Sequence, residues 1–376
     1  GSEVNLPSYF SHENIRMPES TYPLQKVRFP KADSLSFSKT LRSRVNQYFK
    51  EKSLNPKANS AMFMKTVAML AMYFLPFLAL FIFNPGPWAV LGLFAIMGLG
   101  MSGVGMSVMH DAAHGAYHRS PKVNDFIASS IYLISGNLTT WRLQHNVLHH
   151  TYTNIDGLDD DLDTHGLLRL HPDQPLHKRH RYQVWYAPLL YSLLTLNWVV
   201  MKDFSQLIRY QKTGVAKLSD DALRQEWIKL IYTKVLYFGL FLVLPIVFLA
   251  VPWYIAILGF VIMHLIAGFV LSFVFQLAHV VDHVQVAHIP EDDKAMDDEF
   301  LAHQLKTTSD FARGNKLVGW FVGGLNFQVE HHLFPHICHI HYPALSEIVK
   351  KTAKEFNLPY YEHRTLAQAI RAHLRS

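Results

Sequence analysis

Four stretches of this chain are long and apolar, with no more than two charged residues in any of them, and they come in two pairs. Met62 to Phe83 and Trp88 to Val108 are separated by Asn84-Pro85-Gly86-Pro87, and Ile228 to Ala250 and Trp253 to Phe275 by Val251-Pro252. A helix needs roughly 20 apolar residues to cross the hydrocarbon core of a bilayer. Inside that core only a helix or a closed barrel satisfies every backbone N–H and C=O. The expected fold is therefore an all-α integral membrane protein with four transmembrane helices in two tight hairpins. Composition agrees, because 50% hydrophobic and 17% charged residues are too apolar a mix for a soluble chain of 376 residues. Lys39, Arg42, Arg44, Lys50, Lys52 and Lys57 precede the first span and neither hairpin tip is charged. The positive-inside rule then puts both termini and the long middle segment in the cytosol. The net charge of +6 lies beside the spans rather than on a separate basic domain. That is the pattern of a membrane-facing surface, so no nucleic-acid partner is expected.

The rest of the chain is organised around those hairpins. Gly1-Ser2 reads as the scar of tag removal and is set aside. Residues 1–60 are expected to form a cytosolic segment whose amphipathic piece, at Leu41, Val45, Tyr48 and Phe49, lies on the membrane surface. Residues 61–350 form the membrane domain and 351–376 a cytosolic tail. A further apolar run, Val184 to Val200, is not counted as a span, since a fifth crossing would separate His110 from His279 across the bilayer. It is read as lying in the membrane surface, as is Phe126 to Ile134, and the residues from Ile289 onward as a helical cap on the cytosolic side.

Cys338 is the single cysteine among 23 histidines, so a metal site in one chain would have to be built from imidazole rather than thiolate. The second span ends in His110-Asp111-Ala112-Ala113-His114, two rings four residues apart on one helical face, roughly 5–6 Å between Cβ atoms. His145-Asn146-Val147-Leu148-His149-His150 fans three rings over one side of a helix. Gln328-Val329-Glu330-His331-His332 adds two adjacent histidines that diverge by about 100° and suit neighbouring ions. His279, at the cytosolic end of the last span, is the fourth contributor, and His283 an alternative ligand. His264, mid-span, fits an interhelical hydrogen-bond partner. His118, His165, His171, His177, His180, His336, His339 and His341 lack comparable grouping and read as surface or supporting residues.

With their flanking residues, the three boxes resemble those of the membrane fatty-acid desaturase family, over about Ala61 to Lys350. The shared stretches include Phe275-Gln276-Leu277-Ala278-His279-Val280, His150 to Asn154, and Leu-Phe-Pro after His332. The Gln-Val-Glu-His-His form of the third box is similar to the front-end branch. The resemblance implies two non-haem iron ions held by His110, His114, His145, His149, His150, His279, His331 and His332, with O₂ as co-substrate. Gln328 stands where many desaturases have another histidine, and so suggests a weak ligand, a water-mediated one or an open position. The chemistry is consistent with the residues: cleaving an unactivated C–H bond needs a metal–oxygen oxidant, and imidazole suits iron. Asp111 and Glu330 inside the boxes, and Asp159, Asp160, Asp161 and Asp163 after the second, are expected to orient rings or, for the loop acids, simply to be solvated.

Front-end desaturases often carry a fused cytochrome b5 domain, whose His-Pro-Gly-Gly motif does not occur here; His171-Pro172-Asp173 is no substitute. Electrons are therefore expected from a separate cytochrome b5 or ferredoxin with its reductase, docking on the cap. That absence, with no leader visible, suggests a bacterial inner-membrane enzyme. The expected substrate is an acyl-lipid, acyl-CoA or acyl-carrier thioester. Two alternatives stay open: a related diiron hydroxylase or desaturase acting on a carotenoid, sphingolipid or alkane, and a haem- or zinc-binding membrane protein.

Overall fold

The computed structural model describes residues 27–32, 36–288 and 295–376, so the N-terminal segment is followed only from Val27, and residues 1–26 and 33–35 lie outside the description. Among the described residues, four helices are long and apolar enough to cross a membrane: Ser60–Phe83, Pro87–Ala113, Asp220–Phe248 and Trp253–His279. Their ends follow from local chemistry. The Asn59 side chain accepts a hydrogen bond from Met62 N at 3.2 Å and starts the first span. Asn84, in the left-handed region with φ 43°, ends it. The third span begins well before its apolar run, because Ser219 caps it and Asp220 and Asp221 occupy its first turn, where the helix dipole favours acids.

The second span is the most buried of the four and is clasped between the first and the last. Two glycines make this possible. A Cβ on Gly100 would lie 2.6 Å from Tyr73 N, and one on Gly98 2.6 Å from Met263 O, so neither position has room for a side chain. At the hairpin tips Asn84 Oδ1 accepts from Ala250 N at 2.8 Å, which joins the two hairpins at the end away from the histidine boxes.

The run Val184 to Val200 bends rather than crossing. Helices Lys178–Ser192 and Leu194–Thr213 meet at 51°. The bend reaches deeper than a helix lying flat in the surface, because Thr195 Oγ1 bonds His264 O at 2.9 Å and contacts His264 Nδ1 at 3.0 Å, half-way along the last span. His264 completes this interhelical network with Tyr237 OH at 3.1 Å. The segment returns to the face it left, since the ends bearing His110 and His279 come together in one cluster. Its second helix carries Asp203, paired with Lys234 of the third span at 2.6 Å, both buried. Lys234 also donates to Trp198 O at 2.7 Å, so the charge has further polar partners.

Beyond the spans a cap closes the histidine end. The helix Phe37–Glu51 belongs to it, in contrast to the expected place on the membrane surface. Its apolar face, Phe37, Leu41, Val45 and Phe49, is buried against Leu301, Leu305, Leu345 and Val349. Arg44 secures the contact by bonding Thr352 at 3.0 Å and Glu355 at 2.6 Å. An amphipathic pattern specifies a covered face, and here protein covers it instead of lipid. The boundary drawn at 350 falls inside the helix Tyr342–Glu355. Past that helix, β2 (Tyr361–His363) pairs in parallel with β1 (Ser309–Phe311). The final helix Leu366–His373 returns to the last span, His373 Nδ1 donating to Val280 O at 2.8 Å.

Candidate metal centre

All three boxes and His279 meet at one end of the bundle. His110, His114, His145 and His331 offer ring nitrogens within 4.8 Å of one another; so do His149, His279 and His332, and His150 joins His331 and His332 between them. Two sets of donors result, joined through His150, and every one of these histidines is buried. Local backbone helps to produce the convergence. Val104–Met109 and Arg142–His149 adopt the wider i→i+5 turns of a π-helix, which bring positions four and five residues apart to the same side. Such turns are frequent at functional sites. They let His145, His149 and His150 face a common space that a regular α-helix would divide.

Hydrogen bonds fix which nitrogen faces inward. His145 Nδ1 lies 2.8 Å from Asp161 Oδ2, and His149 Nδ1 2.9 Å from Asp159 Oδ1. His332 Nδ1 lies 2.8 Å from Gln304 Oε1, and His331 Nδ1 3.3 Å from Tyr342 OH. With Nδ1–H engaged outward, the Nε2 lone pairs are left to the interior. There Nε2 of His114, His149 and His332 is buried without any hydrogen bond. His110 and His145 meet Nε2 to Nε2 at 3.2 Å, and His150 and His331 at 3.0 Å. So many unpaired acceptor nitrogens in a dry space would be costly if nothing bound them. The donor set fits a pair of transition-metal ions.

Electrostatics favour the neutral form of all these rings but one. Burial, reinforced by neighbouring imidazoles, holds His114, His150, His331 and His332 well below the usual histidine pKa. His145 is lowered as well, its burial outweighing the hydrogen bond and charge of Asp161. His149 differs: burial works downward, but the Asp159 carboxylate prevails and raises it.

The remaining predicted residues sort unevenly. Gln328 is in the cluster, with Nε2 3.3 Å from His279 Nε2 and a buried Oε1 that has no partner. His283 is outside it, half-exposed and 3.0 Å from Asp282. Of the loop acids, Asp159 and Asp161 hold rings, whereas Asp160 bonds Arg209 at 2.5 Å and Asp163 lies 3.3 Å from the exposed His165. Asp111 and Glu330, expected to orient box histidines, turn elsewhere. Asp111 binds His339 Nδ1 at 2.8 Å, and His339 Nε2 in turn meets Lys65 Nζ at 2.7 Å. Glu330 accepts from Tyr360 OH at 3.1 Å. A residue next to a ligand on a helix points about 100° away from it, so adjacency in sequence does not give contact with that ring.

Sequence reasoning missed the partners that lie outside the boxes. Gln304 is fully buried; besides His332, its Oε1 accepts from Thr153 Oγ1 at 2.9 Å while its Nε2 donates to His150 O at 3.0 Å. Trp141 lies against His145 with ring centroids 4.6 Å apart. Neither carries a signal in sequence beyond, for Trp141, its place four residues before a box.

Known proteins share this arrangement of sequence. The family described as fatty acid desaturase matches residues 85–364. An sn-1 linoleoyl-lipid 6-desaturase of Arthrospira platensis is 34% identical over 94% of this chain and 94% of its own length. An acyl-lipid (8-3)-desaturase of Physcomitrium patens is 33% identical over 92% of this chain and 72% of its own. An sn-1 linoleoyl-lipid 6-desaturase of Synechocystis sp. is 32% identical over 93% and 96%. With the buried histidine clusters and the four apolar helices, these likenesses mean that the chain belongs to the fatty acid desaturase family, as a multi-pass membrane oxidoreductase.

Proposed function

We propose that this protein is a front-end acyl desaturase that binds two non-haem irons through His110, His114, His145, His149, His150, His279, His331 and His332. The observation that carries the reading is the inward convergence of buried ring nitrogens in two sets joined through His150. Gln328 is assigned a place beside the second set, as a weak or water-mediated ligand next to His279. The overall reaction takes two hydrogens from adjacent methylenes of an acyl chain and, with two electrons from outside, reduces O₂ to water. Iron, when bound, supplies the oxidising power for that C–H cleavage, which acid–base side chains lack.

The chain's own residues supply order. Asp159, Asp161 and Gln304 hold His149, His145 and His332 in the tautomer that presents Nε2. Burial of the whole set keeps bulk water from the reacting atoms. The substrate is an acyl-lipid, acyl-CoA or acyl-carrier thioester. Front-end selectivity is supported by the Gln-Val-Glu-His-His box and by relatives named as acyl-lipid 6- and (8-3)-desaturases. The electron donor is a separate cytochrome b5 or ferredoxin, and the site faces the cytosol, as the basic residues before the first span support. A bacterial inner membrane is the placement proposed, within a family whose members occur in eukaryotes as well.

Expression with a redox partner, followed by mass spectrometry of cellular fatty acids, tests the reading. A new double bond between an existing one and the carboxyl end is expected. Product heavier by one oxygen would assign a hydroxylase, and unchanged acyl chains across a range of supplied substrates would overturn the proposal. Two irons per chain without a haem absorption band are expected in the purified protein; a single zinc in a preparation that iron loading does not activate would overturn the metal assignment.

A further inference from the structure

His283, set aside from the central cluster, has a partner of its own. Its ring lies 4.8 Å from that of His363, centroid to centroid, at an interplanar angle of 37°. The same separation relates His110 and His114 in the central cluster. His363 is 7% exposed, and its Nε2 is buried with no hydrogen-bond partner. A buried ring nitrogen left unpaired is costly unless something occupies it.

The second ring has an acidic neighbour. Asp282 Oδ1 lies 3.0 Å from His283 Nδ1, which places a carboxylate charge beside that ring. Backbone contacts hold both rings in place. His363 sits on β2 opposite Phe311, and its carbonyl accepts from Ala312 N at 2.8 Å. Two residues after His283, Gln285 N donates to Lys306 O at 2.9 Å. The side chain of His283 is 49% exposed, which leaves room for water on the open side.

We propose that His283 and His363 form a second metal site, separate from the central cluster, for a divalent first-row transition ion, with the negative charge of Asp282 beside it favouring a cation. Two imidazole nitrogens select zinc, cobalt, nickel or copper over magnesium and calcium, which take oxygen donors. Solvent water completes a four-coordinate shell. An ion there joins the turn after the last span to the C-terminal strand. The site is independent of which metal the central cluster takes.

The test uses the full-length protein with its central cluster loaded with iron, titrated with Co²⁺ and read by d–d absorption and by metal content after gel filtration. One Co²⁺ per chain is expected beyond the iron, and it is lost in both His283→Gln and His363→Gln with the iron content unchanged. Asp282→Asn, which removes the neighbouring negative charge, is expected to weaken Co²⁺ binding. His283 lies on an exposed turn, so its variant reports even where His363→Gln fails to fold. Wild-type protein that binds no additional Co²⁺, or a His283→Gln variant that retains it, would overturn the site; full affinity in Asp282→Asn would overturn the role of that carboxylate.

Discussion

Residues one bond removed from the rings carry the most testable detail. Asp159→Asn keeps the shape beside His149 but removes the carboxylate charge that favours Nδ1–H. Metal retention during dialysis against a chelator is expected to fall about 10- to 100-fold, the usual cost of losing such a partner. Gln304 separates two roles. Gln304→Glu keeps an acceptor for His332 Nδ1 and is expected to retain metal, whereas Gln304→Leu leaves that N–H unpaired and is expected to lose iron from the His149, His279 and His332 set first. The iron-to-protein ratio, with Mössbauer spectra to resolve the two ions, measures both. The ligand candidates themselves were legible in sequence because each box is local, its spacing read directly against the helical repeat. Gln304 was not, because its contact with His332 is made by tertiary folding across 28 positions, and nothing in its neighbourhood marks it. Asp111 and Glu330 show the converse: nearness along the chain suggested contact with the rings, and side-chain direction denied it.

At the level of elements, hydropathy located the spans well and their environment poorly. The four apolar runs each form a helix long and apolar enough to cross, since length and low charge leave few other outcomes. For the helix Phe37–Glu51 the sequence pattern points to the lipid surface, because it records that one face is covered without recording by what. Leu41→Ala is therefore expected to cost about 2–5 kcal/mol, the range for emptying a packed core position, in thermal unfolding of detergent-solubilised protein. An unchanged melting temperature would return that helix to the membrane surface. The Lys234 and Asp203 pair gives a second check. Lys234→Met strands a buried carboxylate and is expected to destabilise by about 3–5 kcal/mol, while the double variant with Asp203→Leu recovers most of the loss.

For the whole molecule, acid is expected to act through histidines that folding keeps neutral. His303, buried and donating to Thr153 O at 3.0 Å, has its pKa lowered from 6.5 to about 4, chiefly by burial. Between those values the unfolded chain binds a proton that the folded one does not, so stability falls as pH drops from 6.5 and levels off below about 4. The slope contributed by one such group is at most about 1.4 kcal/mol per pH unit. Thermal unfolding of the metal-free protein from pH 7 to 4 should show the decline, and His303→Gln should make it shallower. The hydrogen bond between Asn84 and Ala250 bears on another global property. It pins the hairpins together like the closed end of a pair of tongs, far from the rings. A lipid tail is then expected to enter where the jaws are free, beside the cap, and the breathing motions that let substrate in and product out are expected at that end of the bundle.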